Sequence, residues 1–214
     1  MSQSELELPI AESLLPPKQA AARWETAIHE AGHTVVAIFY EIPLVTIRID
    51  SHGMRDKRFV DGLVRHDRKK LKPLLHSPAR TRWISKFIVM SYAGFFAQLK
   101  ANPSADDAGS VKDAEHIEHL LLNNFPSKRK HKDKPDSPQH PTQAEIERVY
   151  NARSLRLALV TERLVDKLYP IIVMVARTLI ERRQMTGDEV VALAGPLIAK
   201  ERTAWTKLAR RGIA

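Results

Sequence analysis

The sequence predicts a mainly α-helical domain with a small β-sheet or hairpin, an α+β fold. Apolar residues recur at helical spacing in several long segments, whereas strand-like alternation is confined to residues 44–65. Hydrophobic residues make up 43% of the 214 residues, a globular value that allows a substantial core. We expect residues 1–15 to form a flexible arm and residues 16–214 to form one domain.

The first predicted helix covers residues 17–41. It follows two prolines, which are tolerated at a helix start, continues through an alanine-rich run and stops before Pro43. Apolar residues recur along it at helical spacing: Ile28, Ala31, Val35 and Phe39. Gly32 costs about 1 kcal/mol relative to alanine in mid-helix, so we expect it to admit the close approach of another backbone or of a substrate.

A hairpin and a long helix are predicted next. Residues 44–50 alternate and are rich in β-branched side chains, and residues 59–65 are expected to return as a second strand. Residues 78–100 form a long apolar helix, in which Ala93 and Gly94 provide a small, close-packing patch.

The second half of the chain is predicted to form a helical bundle. A helix from about residue 111 to 123 follows a break at 102–104, and residues 124–142 contain four prolines in a basic mobile loop. Two further helices complete the bundle: one over about 142–183, broken near Pro170, and one from Thr186 or Gly187 to about Arg202.

Charge restricts the classes of function. The net charge is +9, which is typical of some nucleic-acid-binding proteins. Much of the excess lies in two local runs, residues 65–72 and 128–134, and no nucleic-acid-binding motif accompanies them. We therefore favour a basic surface and a solvated loop, and do not expect nucleic acid as a partner.

Composition also indicates the compartment. No apolar run approaches the roughly 18 residues that span a bilayer, and the N-terminal residues are polar and acidic, unlike a secretory signal. The chain contains no cysteine, so a metal site must use His, Asp or Glu. We expect a cytoplasmic protein without a membrane segment.

The first helix carries the sequence His29-Glu30-Ala31-Gly32-His33, an H-E-x-x-H motif. Residues four apart share one face of a helix, so both imidazoles can bind one metal ion. Glu30 lies near enough to take a proton from a water on that metal. On an apolar helix, unpaired imidazoles would be costly, which favours a zinc site over two surface histidines.

A catalytic zinc usually takes three protein ligands and leaves one position open. The third must come from elsewhere in the chain, and either a carboxylate or an imidazole suits zinc. Chemistry alone leaves these candidates: Asp106, Asp107, Asp113, Glu115, His116, His119, His52, His66 and His76.

Four segments in the same order resemble the peptidase domain of the FtsH-type zinc metalloproteases. Residues 29–36, HEAGHTVV, look like that family's HEAGHAVV motif. Residues 44–47 resemble the strand after the motif helix, 92–97 its AGRAAE-type helix, and 181–190 its late EKExLxGEEV segment. Together the likeness spans about residues 20–195.

The resemblance implies a zincin-like fold, with the HExxH helix followed by a C-terminal helical bundle. It implies Zn²⁺ as the cofactor, Glu30 as the catalytic base, and a third ligand from an aspartate in a segment that opens a helix. Asp113, within residues 109–114, occupies that position, and Asp106 and Asp107 are the alternatives.

The resemblance further implies a zinc metalloendopeptidase whose substrates are peptides or unfolded proteins. Because no Walker-type phosphate loop is present, we expect ATP-independent hydrolysis of accessible chains, or dependence on a separate unfoldase. The family's oligomeric state does not carry over. The strand after the motif helix is expected to bind substrate by edge addition, through Val45, Thr46 and Ile47.

Two other classes of function stay open. A catalytically silent metal-binding or regulatory module would fit the missing ATPase, although such a site would not require Glu30. A basic nucleic-acid-associated protein would fit the charge alone.

Overall fold

The computed structural model describes residues 17–50, 61–105, 111–123 and 143–210. These residues form six helices and one small sheet, so the predicted mainly α fold with a small β-sheet is confirmed. The helices and strands are, in chain order, α1 (Pro17–Phe39), β1 (Leu44–Asp50), β2 (Asp61–His66), α2 (Arg68–Leu75), α3 (Arg80–Ala101), α4 (Val111–Asn123), α5 (Gln143–Arg182), β3 (Gln184–Thr186) and α6 (Gly187–Arg210). The predicted arm at 1–15 and basic loop at 124–142 lie outside the described residues.

The helix α1 is the centre of the molecule. It packs against α3, α5 and α6 and against the sheet, and every residue from 27 to 39 is buried. A Cβ on Gly32 would lie 2.6 Å from the carbonyl oxygen of Ala93 and 2.8 Å from the Cβ of Ala97. Gly32 therefore lets the backbones of α1 and α3 approach closely, as expected.

The end of α1 comes two residues earlier than predicted, at Phe39. The N–H of Ile42 donates to the carbonyl of Ala37, and that of Glu41 to Ile38. Glu41 has a φ of 60°, so the helix closes with a left-handed residue before Pro43 is reached.

The sheet contains three antiparallel strands in the order β2-β1-β3. Ile47 of β1 lies opposite Val64 of β2 on one side and Met185 of β3 on the other. The side chains of Ile47, Ile49 and Met185 are buried, so one face of the sheet covers the helical core.

The predicted role of β1 is wrong for two of its three residues. Thr46 and Ile47 are paired with β2 and with β3, so neither edge of β1 can accept another strand there. Val45 lies at an irregularity in the β1–β2 register and is 42% exposed. Within the described sheet, β2 and β3 provide the outer edges.

The helix α5 continues through Pro170, so the predicted break is wrong. Proline removes one backbone hydrogen bond, but Pro170 is exposed, where water can satisfy the freed carbonyl. Apolar residues on both sides of it are buried in the core at helical spacing: Leu164, Val165, Leu168, Ile171, Ile172 and Val175.

Among the described residues, no helix is both long and apolar enough to cross a membrane.

Candidate metal centre

Two imidazoles from adjacent turns of α1 meet in the interior. His29 and His33 are each 7% exposed, and their Nε2 atoms lie 3.0 Å apart. The rings are nearly perpendicular, at 84°. The four-residue spacing on one helix thus directs both Nε2 atoms to the same point, as the motif predicted.

Asp113, in the first turn of α4, supplies the third atom. Its Oδ2 lies 3.0 Å from Nε2 of His29 and 3.1 Å from Nε2 of His33. One ligand atom from each residue therefore falls within 4.8 Å of the others, and this is a grouping that can hold a metal ion. A tetrahedral zinc with bonds of about 2.0–2.1 Å separates its ligand atoms by about 3.3 Å, close to the distances found.

Buried acceptors hold the imidazoles in the form that a metal requires. Nδ1 of His33 lies 2.8 Å from the carbonyl oxygen of Met90, and Nδ1 of His29 lies 3.1 Å from Oε1 of Gln98. Because both partners accept, each Nδ1 carries the proton and donates it, which leaves the Nε2 lone pairs facing Asp113. Two nitrogen lone pairs and a carboxylate fit zinc, which takes His and Asp ligands.

Without a metal, the cluster attracts a proton. Burial lowers the pKa of His33, but the hydrogen bond and charge of Asp113, with smaller contributions from Glu30 and Met90, raise it to about 9. For Asp113, burial raises the pKa, but hydrogen bonds from His29 and His33 hold it well below its usual range. The site therefore favours positive charge at its centre.

Gly94 of α3 leaves the space that the imidazoles occupy. A Cβ on Gly94 would lie 2.5 Å from Nε2 of His33 and 2.8 Å from Nε2 of His29. The sequence predicted a close-packing patch here but not its contact with the motif. Gln98, the hydrogen-bond partner of His29, lies one turn further along α3, and the sequence did not predict its role. A glutamine on an apolar helix face needs a buried polar partner, and this could have indicated its role.

The other candidate ligands that the structure describes do not join the cluster. Among the described residues, only His29, His33 and Asp113 form such a group of three. Glu115, His116, His119 and His76 are exposed, and Asp106, Asp107 and His52 lie outside the described residues.

His66, at the end of β2, is partly buried and packs its ring against Phe87. Burial is the main cause that lowers the pKa of His66 to about 4. The hydrogen bond with the Pro43 backbone raises this pKa, and the charges of His33 and His116 lower it further. His66 is therefore a neutral imidazole near the cluster at neutral pH.

Glu30 follows His29 directly on α1 and is 8% exposed. Its negative charge is one of the influences that raise the pKa of His33, so the carboxylate lies near the cluster.

The chain matches no protein-family model, and it has no significant match among curated proteins.

Proposed function

We propose that the protein is a zinc-dependent peptide hydrolase. The observation that carries the proposal is the convergence of three potential ligand atoms, Nε2 of His29, Nε2 of His33 and Oδ2 of Asp113. They lie 3.0–3.1 Å from one another. Buried Glu30 beside this point adds a carboxylate that a purely structural metal site would not need. The ordered likeness to FtsH-type peptidase domains favours the same chemistry.

In this proposal His29, His33 and Asp113 hold the metal. When bound, zinc would act as a Lewis acid that polarises a carbonyl and lowers the pKa of water. Glu30 would take the proton of the attacking water and return it to the leaving amine nitrogen. Met90 and Gln98 would keep both imidazoles in the metal-binding tautomer throughout.

The proposed substrates are accessible peptide chains, including unfolded proteins, and folded substrates would need a separate unfoldase. Within the described sheet, β1 cannot add a substrate strand at Thr46 and Ile47. The strand β2, which ends at His66 and has one unpaired edge within the described sheet, offers a place for such pairing.

The decisive test uses zinc-loaded protein and an unfolded substrate such as casein. Glu30→Gln should retain about one zinc per chain and lose hydrolysis by a factor on the order of 10²–10⁴, the usual contribution of a general base. Glu162→Gln, on the exposed face of α5, serves as the control and should keep full activity.

Two results would overturn the proposal. Wild-type protein that holds zinc but cleaves no unfolded chain would favour a catalytically silent metal-binding module. Equal activity in Glu30→Gln and wild type would remove the assigned base.

A further inference from the structure

Two grooves lie on either side of α4. The first, which we call the α2 groove, has a volume of about 750 Å³ and lies between β2, α2, α3 and α4. Its apolar lining includes Val45, Leu63, Leu71, Leu75, Phe87 and Leu120. Val45 and Leu63 are 42% and 38% exposed, so large apolar side chains face solvent at its mouth.

The α2 groove is basic. Arg65, Lys69 and Asp67 line it together with His66 and His116. The charge of Asp67 is already engaged, because its carboxylate accepts hydrogen bonds from the N-terminal backbone of α2 and lies 3.7 Å from Nζ of Lys70. Arg65 and Lys69 are exposed, and neither forms an ion pair with another described residue.

The second groove, the α5 groove, lies between α3, α4 and α5 and has a volume of about 570 Å³. Tyr92, Phe95 and Tyr150 give it aromatic walls, and its charged side chains are all acidic. They are Asp113, Glu115 and Glu118. Burial and then the charge of Glu118 raise the pKa of Tyr150, so this negative charge acts inside the groove.

The ligand Asp113 lines the α5 groove, and the helix α4 that carries it separates this groove from the α2 groove. On α4, His116 and Leu120 line the α2 groove, whereas Ala114 and Glu118 line the α5 groove. These pairs project from opposite sides of the inward stripe of the helix, which carries Asp113 and the buried Ile117 and Leu121. A chain that passes the metal centre therefore has a basic apolar groove on one side and an acidic aromatic groove on the other.

From this we infer that the site selects an extended peptide with an apolar centre, acidic residues in the α2 groove and basic residues in the α5 groove. This inference rests on the proposed peptide hydrolysis and names its substrate class. The apolar walls supply burial for the central side chains, and the two charged rims fix the direction of the chain.

The test compares two peptides of identical composition, Asp-Asp-Ala-Leu-Phe-Ala-Lys-Lys and Lys-Lys-Ala-Leu-Phe-Ala-Asp-Asp. Each carries fluorescein and binds zinc-loaded Glu30→Gln protein, with anisotropy as the readout. Because four exposed charge pairs are involved, we expect the two affinities to differ by about tenfold at low salt. The difference should shrink at about 1 M salt, where the Debye length is about 3 Å.

A charge-reversed protein shows whether these grooves cause the preference. Reversing Arg65, Lys69, Glu115 and Glu118 to Glu, Glu, Lys and Lys should invert the order of the two affinities. The matched control reverses Lys200, Lys207, Glu162 and Glu181, which are exposed on α5 and α6, and should keep the original order.

Equal affinities, or an order that survives reversal in the grooves, would overturn the inference. Wild-type turnover of both peptides separates the two proposals. Hydrolysis without any order preference supports the proposed function and contradicts the grooves. An order preference in binding without hydrolysis of either peptide supports the grooves and contradicts the hydrolase.

Discussion

Gly94 is the residue on which the geometry of the imidazoles depends. Any Cβ there would stand 2.5 Å from Nε2 of His33, the atom that would bind the proposed metal. We predict that Gly94→Ala lowers zinc affinity by at least about 100-fold, the upper range for changes next to metal-binding histidines. Competition with a chromophoric chelator measures this affinity.

Gly195 provides the matched control, since it also lies inside a helix, α6. The nearest atom to a Cβ there is Cγ1 of Val191, at 3.3 Å. Gly195→Ala should leave zinc affinity unchanged. Wild-type zinc affinity in folded Gly94→Ala protein would refute the role given to Gly94.

The titration of His33 gives a pH prediction for metal-free protein. Its pKa rises from 6.5 to about 9 on folding, so the folded state binds the proton more tightly than the unfolded state. The resulting stabilisation is fully present below pH 6.5 and is lost as the pH rises through 9. At 1.36 kcal/mol per unit, the loss is on the order of 3 kcal/mol.

Urea unfolding in a chelator, between about pH 6 and pH 10, measures this loss. In His33→Gln the decline should disappear, whereas His119→Gln, an exposed histidine of α4, should retain it. A free energy of unfolding that rises across this range in the wild type would contradict the assignment.

At the level of single residues, the sequence identified the local part of the site and missed the part set by packing. The roles assigned to His29, Glu30 and His33 depend only on their spacing along one helix. Gly94 and Gln98 could not be assigned from the sequence, because their roles depend on how α3 aligns with α1. The choice of Asp113 needed the family resemblance, and the structure brings that aspartate to the two imidazoles.

The N-terminus of α6 is capped by side chains and backbone of the same turn. The N–H of Thr186 donates to Oε2 of Glu189 at 2.7 Å, and the N–H of Glu189 donates to Oγ1 of Thr186 at 3.2 Å. This reciprocal pair is a capping box, and it also fixes the junction between β3 and α6.

We predict that Thr186→Ala lowers the free energy of unfolding by about 0.5–2 kcal/mol, the usual cost of losing such a cap. Thr203→Ala is the control, because the hydroxyl of this exposed threonine of α6 donates to the preceding turn, at the carbonyl of Ala199. Urea denaturation measures both. Equal effects of the two substitutions would argue against the cap.

The elements that the sequence predicted are those with a long periodic pattern. The bounds of β1 and α4 match, and α3 differs by two residues at its start and by one at its end. The short elements α2 and β3 were missed. The three residues of β3 become a strand only through pairing with β1, and α2 depends on the cap from Asp67 within a run that read as basic surface.

For the whole molecule, the metal is expected to fasten α4 to the core. Within the described residues, α4 buries only Ile117 and Leu121, which pack in a small cluster with Ile84 and Ile88 of α3. A bound zinc would add Asp113 to this attachment. Free zinc at about 1,000 times its Kd should stabilise the protein by about 4 kcal/mol.

Removing zinc with a chelator should therefore lower Tm and speed amide hydrogen exchange in α4 more than in α1. Asp113→Asn, which lacks the carboxylate ligand, is the control and should respond little to the chelator. Equal exchange in α4 with and without zinc would contradict the attachment.

The ligands of this centre come from distant parts of the chain, since 80 residues separate His33 from Asp113. A growing or partly opened chain carries the complete motif on α1 but lacks the carboxylate. Under the proposed function, such a chain is harmless to its neighbours, because it cannot cut until α4 has docked. The order of folding would then prevent premature cleavage. Local release of α4 would inactivate the site while the helical core stays folded.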